Sequence, residues 1–328
     1  MVSDVTTDLY TADVSAEWDD FVSRSRNGTL FHRRAFLNYH PPNRFDDCSL
    51  LFRSSGQVVG AFPAAVEERD GRRILRSHPG ASYGGPVVGP LPRAETAHAC
   101  VRAIVKFARA RGFDGVEMRL PPTVFHRCPS EDVDHALHSA GFHVPTMELS
   151  NAICLDGGPQ AWQTRVQGDT ANRLRRIERE GLVSVEGSDA WGEYWPLLDE
   201  TLAKFDATPT HSLGEMERLA HDLRDDIRLF GCRVAGTLVG GVVVFVGNTH
   251  AVHTFYMAQN HSGRKHRCLD AALRHVMEWT YARGHRFVNL GTSTLTGGAR
   301  LNTGVCRFKE RFGGFGVARR TYALDLKQ

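Results

Sequence analysis

At 328 residues, with 41% hydrophobic and 23% charged residues, the chain has an ordinary globular composition and a length that fits about two domains. A net charge of +3 is too mild to announce a nucleic-acid binder, and no run of about 18 apolar residues predicts a membrane span. The N-terminus MVSDVTTDLY lacks the basic-then-apolar layout of a signal peptide, so a cytoplasmic location is expected. The seven cysteines (48, 100, 128, 154, 232, 268 and 306) are scattered and never form a CxxC pair, and His135 and His138 have no third ligand close in sequence. Neither a disulfide framework nor a metal site is therefore expected.

From residue 14 the pattern predicts a helix (VSAEWDDFVSR), a short second one (FHRRAFLNY), and a hairpin whose strands DCSLLFR and QVVGAFPAAVEE turn at Ser55 and Gly56. RRILRSHPGASYGGPVV gives strand, glycine-rich loop and strand. A long helix at about Arg93 to Arg111, the strand GVEMRL, a short helix near Asp132 to Ala140 and a strand around HVPTMELSNAICL complete the first half. The second half starts with helices at Pro159 to Gln167, Thr170 to Glu180 (carrying Arg173, Arg175, Arg176 and Arg179) and Tyr194 to Phe205. Ser212 to Glu215 reads as a capping box that opens a further helix. Then come strands IRLFGCRV, TLVGGVVVFVG and AVHTFYMA, a helix from Arg264 to Arg283, the strand RFVNL, a polar loop, a segment with Phe308 and Phe312 one turn apart, and a last strand near Val317 to Leu326.

The halves repeat. Gly56 to Gly60 (GQVVG) matches Gly236 to Gly240 (GTLVG); Ala110-Arg-Gly before Val116 and Met118 matches Ala282-Arg-Gly before Val288 and Leu290; and Gly141 to Val144 matches Gly314 to Val317. Three matches in one order, at offsets of 180, 172 and 173, argue for duplication of a unit of about 150 residues, with domains at 1–154 and 159–328. Each copy reads as α+β, a mixed and largely antiparallel sheet flanked by helices.

These residues resemble a known family. The strand order and the Ala-Arg-Gly helix exit look like the GNAT acyltransferase fold, and two tandem copies look like the Fem-type aminoacyltransferases. ANRLRRIEREG, ATPTHSLGEM and LGTSTLTGGARLNTGVCRFKERFGG are similar to segments of those proteins, and HPGASYGG resembles their glycine-rich strand loop. The resemblance implies an amide-forming transferase that takes an aminoacyl group from aminoacyl-tRNA to the amine of a small molecule, peptide or cell-envelope precursor. Acyl-CoA is the alternative donor, a non-catalytic tandem binding module is a third reading, and no metal or other cofactor is implied.

Several residues become candidates for that chemistry. Lys309, with Phe308 beside it, matches the Phe-Lys pair that in Fem-type enzymes lies by the end of the acyl carrier, and a fixed ammonium suits a developing carbonyl oxyanion; the plainer alternative is a helix-surface lysine. Asn302 belongs to the LN-x-G element of the same match, as a substrate-binding candidate. The run Ser262 to Arg267, with Arg264, Lys265 and Arg267, precedes a helix whose N-terminus could hold phosphate. It lacks the second glycine of the acyl-CoA loop, which turns the expectation from CoA towards an RNA 3′ end. His211 is a candidate proton acceptor or a loop histidine ahead of the Ser212 cap. Tyr256 and His253 share a strand and either could be core. Tyr83, in GASYGGP, is a candidate for the acceptor pocket, with core packing the equal alternative.

Overall fold

The computed structural model describes residues 5–41, 43–91, 93–181 and 183–327; residues 1–4, on which part of the signal-peptide reading rests, lie outside the described residues. The first part of the chain holds β1 (Thr6–Leu9), α1 (Ser15–Arg24), α2 (Arg34–Leu37), β2 (Asp46–Asp47), β3 (Leu50–Ser54), β4 (Gln57–Phe62), β5 (Ala65–Arg69), β6 (Arg72–Ser77), β7 (Val87–Val88), α3 (Ala94–Ala110), β8 (Gly115–Arg119), α4 (Asp132–Ser139) and β9 (His143–Cys154). The rest holds α5 (Gly158–Gln163), α6 (Gly168–Glu180), β10 (Val183–Ser188), α7 (Trp191–Ala203), α8 (Leu213–Asp222), β11 (Ile227–Val234), β12 (Thr237–Val246), β13 (Ala251–Gln259), α9 (His261–Lys265), α10 (Cys268–Ala282), β14 (Phe287–Thr292), β15 (Thr294–Leu295), β16 (Arg300–Leu301), α11 (Thr303–Glu310) and β17 (Phe315–Asp325).

Two compact units result, Met1–Leu149 with Thr294–Arg300 and Val317–Gln328, and Ser150–Ser293 with Leu301–Gly316. This division differs from a single cut near residues 154 to 159, and strand pairing is the reason. In the first unit β17 runs antiparallel to β8 from Thr321 to Asp325, while in the second the end of β9, Ser150 to Cys154, pairs with β14.

In the first unit β1, β3, β4 and β7 form one sheet, and β8, β6, β5 and β2 continue a second ladder from β17. The expected strand QVVGAFPAAVEE is split at Pro63-Ala64 into β4 and β5, which belong to different sheets; a proline has no amide for a ladder. Ala97, Cys100, Val101, Ile104 and Ala108 bury one face of α3 against Leu50, Phe52, Leu75, Val116 and Met118. In the second unit the order is β10, β11, β12, β13, β14 and β9. Val242, Val244, Val252 and Val288 face Cys268, Leu273, Val276 and Met277 of α10, all at most 3% exposed. That apolar packing is what holds the strands below the candidate site.

The repeat extends to hydrogen bonds. In the β3–β4 turn Ser55 and Gly56 have φ of 50° and 78°, and in the β11–β12 turn Ala235 and Gly236 have 49° and 81°. Both hairpins carry a bulge before the arginine nearest the turn: Arg53 pairs with Val58 and Arg233 with Leu238. Arg53 reaches Glu17 of α1, and Arg233 reaches Glu193 of α7. Gly112 and Gly284, at φ 68° and 80°, end α3 and α10 in the left-handed conformation that glycine adopts without strain. The third match moves by one residue. Gly141 and Gly313 have φ of 86° and 81° and donate to the carbonyls of His138 and Glu310, so the offset there is also 172, from 141 to 313.

Candidate active site

The second unit has a fork in its sheet. β13 and β14 are parallel neighbours, pairing at Ala251–Phe287, Val252–Val288 and His253–Asn289. Beyond that register β13 continues to Gln259 and β14 to Thr292 with no further pairing between them. Crevices at the carboxyl ends of diverging strands are where α/β folds bind ligands. On the other side of β14 the register with β9 slips between Asn289 and Thr292. Gly291, at φ 73°, sits in that irregularity. A bulge of this kind re-aims the backbone.

Lys309, near the end of α11, is 2% exposed. Its ammonium donates to the carbonyl oxygens of Gly291 at 2.7 Å and Thr292 at 2.6 Å. It is therefore not the surface lysine of the plainer alternative: the re-aimed Gly291 carbonyl ties the charge to the fork. A buried polar cluster continues from there. The Gly291 amide donates to Asn289 Oδ1 (2.9 Å), Asn289 Nδ2 donates to Ser150 Oγ (3.2 Å), His253 Nδ1 lies 3.0 Å from Asn289 Oδ1, and Ser293 Oγ donates to Asn151 Oδ1 (2.5 Å). Ser150, Asn151, Asn289 and Ser293 are at most 1% exposed. Asn289, Ser150, Asn151 and Gly291 were not singled out from sequence. The available signal was Asn289 itself, a polar residue in a strand between Val288 and Leu290, where asparagine is disfavoured.

A second bulge decides how β13 presents its side chains. Val243 and Val244 are consecutive, yet they pair with Tyr256 and Thr254, leaving Phe255 as the extra residue. Tyr256 and His253 thus fall on one face. Tyr256 joins His211 there: its hydroxyl accepts from the Thr210 amide at 2.9 Å and lies 3.0 Å from His211 Nδ1. Burial pushes the Tyr256 hydroxyl pKa up, against the lowering effect of its bonds to Thr210 and His211. The Phe255 ring touches both histidines, with centroids 5.4 Å from His211 and 6.0 Å from His253.

The basic run is reorganised relative to expectation. The predicted continuous helix from Arg264 to Arg283 is two helices, α9 and α10, broken where Arg267 takes φ 60°. Lys265, His266 and Arg267 face Arg173 and Arg176 of α6 across a cavity of about 420 Å³ that Ile177, Glu180 and Val183 complete. Arg264 is not part of that lining and acts instead on Glu200 of α7, whose carboxyl Lys204 chiefly, and Arg264 further, hold below the usual range. The backbone amides are not presented as an anion cradle. Gly263 donates to Asn260 Oδ1 (2.9 Å), and Arg264, His266 and Arg267 donate to carbonyls of their own turn.

The remaining candidates separate. Asn302 caps α11, its Oδ1 accepting from the Val305 amide at 3.2 Å. Phe308 packs on the α10 side of the core and on Phe312 at 5.5 Å. Tyr83 belongs to the first unit, 1% exposed, with its ring against Phe31 (5.3 Å) and Phe125 (5.4 Å), and burial pushes its pKa up to about 12. It is a core residue there. Among the described residues no group of three or more His, Cys, Asp and Glu is arranged to hold a metal ion, and no helix is long and apolar enough to cross a membrane.

Known proteins bear on this geometry. Residues 165–310, which include the fork, Lys309 and the basic cavity, match the model of an acetyltransferase (GNAT) domain. The structure of FemX is similar to the whole chain, with a TM-score of 0.76 at 12% identity and 98% of each chain covered. The C-terminal domain of a candidate lysylphosphatidylglycerol synthetase from Agrobacterium fabrum is similar at TM-score 0.61 and 14% identity, covering 96% of this chain and 92% of that one. A tandem GNAT protein from the clavulanic acid biosynthesis pathway is similar at TM-score 0.52 and 14% identity, with 98% of each covered. None of the curated proteins matches this chain. The chain therefore has a tandem GNAT fold, similar over its length to the structure of FemX, and its residues 165–310 match an acetyltransferase (GNAT) domain.

Proposed function

We propose that the chain is an N-acyltransferase that moves an aminoacyl group from aminoacyl-tRNA to the amine of a small molecule, peptide or cell-envelope precursor. The observation that carries the choice of donor is the cavity where Lys265, His266 and Arg267 meet Arg173 and Arg176. With the amides of Gly263, Arg264, His266 and Arg267 bonded within the chain, side-chain cations rather than a backbone loop would meet the donor's phosphates. Cations that track a backbone of repeated phosphates suit a nucleic-acid end. The Lys309 ammonium supplies positive charge at the fork, where the acyl carbonyl oxygen would become negative as the amine attacks. The FemX fold, and a structural neighbour named for a product that carries a lysyl group, agree with this reading.

An acyl-CoA donor is the second reading, favoured by the acetyltransferase model that matches residues 165–310. Binding of tRNA and of acetyl-CoA, measured side by side, separates the two. The expected result is tRNA binding whose log Kd varies linearly with log salt, weakened by Lys265→Ala and Arg267→Ala and less by Arg264→Ala, which lies outside the cavity. Tight acetyl-CoA binding that tRNA does not disturb would replace the first reading by the second.

A further inference from the structure

The smaller sheet of the first unit ends at β1, the last strand in the order β1, β3, β4 and β7. Just after β1 the Tyr10 amide donates to the Ser49 carbonyl at 2.8 Å, and the register pairs Asp8 with Leu51 and Thr6 with Arg53. Bonded pairs alternate along an antiparallel ladder, so Thr6, Asp8 and Tyr10 direct their backbone groups to β3. The amides and carbonyls of Thr7 and Leu9 therefore point away from it. The far side of β3 agrees: the Cys48 amide donates to the Ala64 carbonyl at 2.8 Å, which leaves Ser49, Leu51 and Arg53 for β1. All four β1 residues are exposed, Leu9 at 41%.

Between this edge and α3 lies a cavity of about 860 Å³. Thr7 and Leu9 line it from β1, and Ala103 and Phe107 from α3. Arg102, Lys106 and Arg111 bring three cations, and no carboxylate is among the described lining residues. Asp8 is bonded instead to Arg53, which also reaches Glu17. Arg102 and Lys106 are exposed and form no ion pair among the described residues.

We propose that this edge binds an extended, acidic segment of another protein, which adds to the sheet beside β1 and lays alternate carboxylates on Arg102 and Lys106. The backbone groups of Thr7 and Leu9 meet the main chain of that segment. Arg102 and Lys106 are one helical turn apart, about 6 Å along the axis, and side chains on one face of a strand recur at about 6.7 Å. Acidic residues two apart thus reach both cations, with aliphatic neighbours over Leu9 and Phe107. A second copy of this chain fits poorly, because pairing β1 with β1 about a twofold axis brings the two sets of cations to the same face. The proposal does not rest on the acyl-transfer reading.

The test titrates the full chain with a labelled, end-blocked peptide, Val-Thr-Glu-Thr-Glu-Thr-Val, and with its counterpart carrying Lys for Glu. The Glu peptide should bind, and Arg102→Glu with Lys106→Glu should weaken it about tenfold or more. The Lys peptide should prefer that variant to the wild type. Hydrogen exchange at the Thr7 and Leu9 amides should slow when the Glu peptide is bound, while Thr6 and Asp8, already bonded to β3, change little. Should the reversal unfold the chain, Arg102→Gln with Lys106→Gln carries the same comparison for the Glu peptide. No binding, binding indifferent to these substitutions, or binding that leaves Thr7 and Leu9 exchange unchanged overturns the proposal. Phosphatidylglycerol vesicles that bind through Arg102 and Lys106 where the peptide does not would overturn it in favour of a lipid surface.

Discussion

Lys309 occupies in the second unit the place that Leu137 occupies in the first. Each has its carbonyl bonded to the amide five residues on, that of Gly314 at 3.1 Å and that of Phe142 at 3.0 Å, directly after a glycine at positive φ. Leu137 is fully buried in the first core, so this position of the repeat accepts an aliphatic side chain. The lysine is therefore a departure from what packing requires.

Replacing Lys309 should consequently lower both turnover and stability. Lys309→Met or Lys309→Leu is expected to lower turnover by about 10²–10³ if the ammonium stabilises the oxyanion. Because the carbonyls of Gly291 and Thr292 lose their donor, stability should also fall, by about 1–3 kcal/mol. That is more than the negligible cost expected of a surface lysine. Kinetics and urea unfolding on the same preparations check both; a raised KM at unchanged kcat would assign the lysine to ground-state binding.

Acid should weaken the first unit. Burial holds His32 and His78 neutral, each with its pKa lowered to about 4 from 6.5. A depressed histidine contributes its full stability above the unfolded value of 6.5 and loses it as pH falls towards the folded value. Between about pH 6.5 and 4, each group should cost about 1.4 kcal/mol per pH unit. Urea midpoints across that window should fall, and His32→Gln should give a shallower decline.

The cap of α8 is a clean local test. Ser212 Oγ accepts from the Glu215 amide at 3.3 Å, and the Glu215 carboxylate accepts from the Ser212 amide at 2.8 Å. Ser212→Ala should destabilise by about 1 kcal/mol. Thermal unfolding reads the cost. Turnover at a temperature well below the transition should hardly change unless His211 is displaced.

Gly263 tests whether the start of α9 is packed or open. A Cβ there would lie 2.5 Å from the Val239 carbonyl oxygen and 2.9 Å from Gln259 Cβ. Gly263→Ala should therefore force the basic run away from β12 and lower both stability and tRNA binding. A variant with unchanged melting and unchanged binding would show that α9 shifts freely.

Much of this was readable along the chain, because local periodicity and turn chemistry are local properties. The hairpin glycines, the helix exits at Gly112 and Gly284, the Ser212 capping box and the duplicated α+β plan depend on residues a few positions apart, and the structure has them. The stretch around Lys309 also stood out by its residues. What the linear order did not contain was strand pairing and depth. That β17 belongs to the first unit and the end of β9 to the second follows from ladders joining residues far apart, such as Thr321 with Arg119 and Val288 with Ile153. Burial turned Tyr83 into a core residue and Lys309 into a held charge, and the fold divided Arg264 from Lys265 and Arg267. Asn289 became central only where β14 meets β13, since one extra residue in a ladder is invisible until the partner strand is in place. The sequence determined which residues could do chemistry; the tertiary structure decided which of them meet, because hydrogen-bond register and burial are properties of pairs of segments.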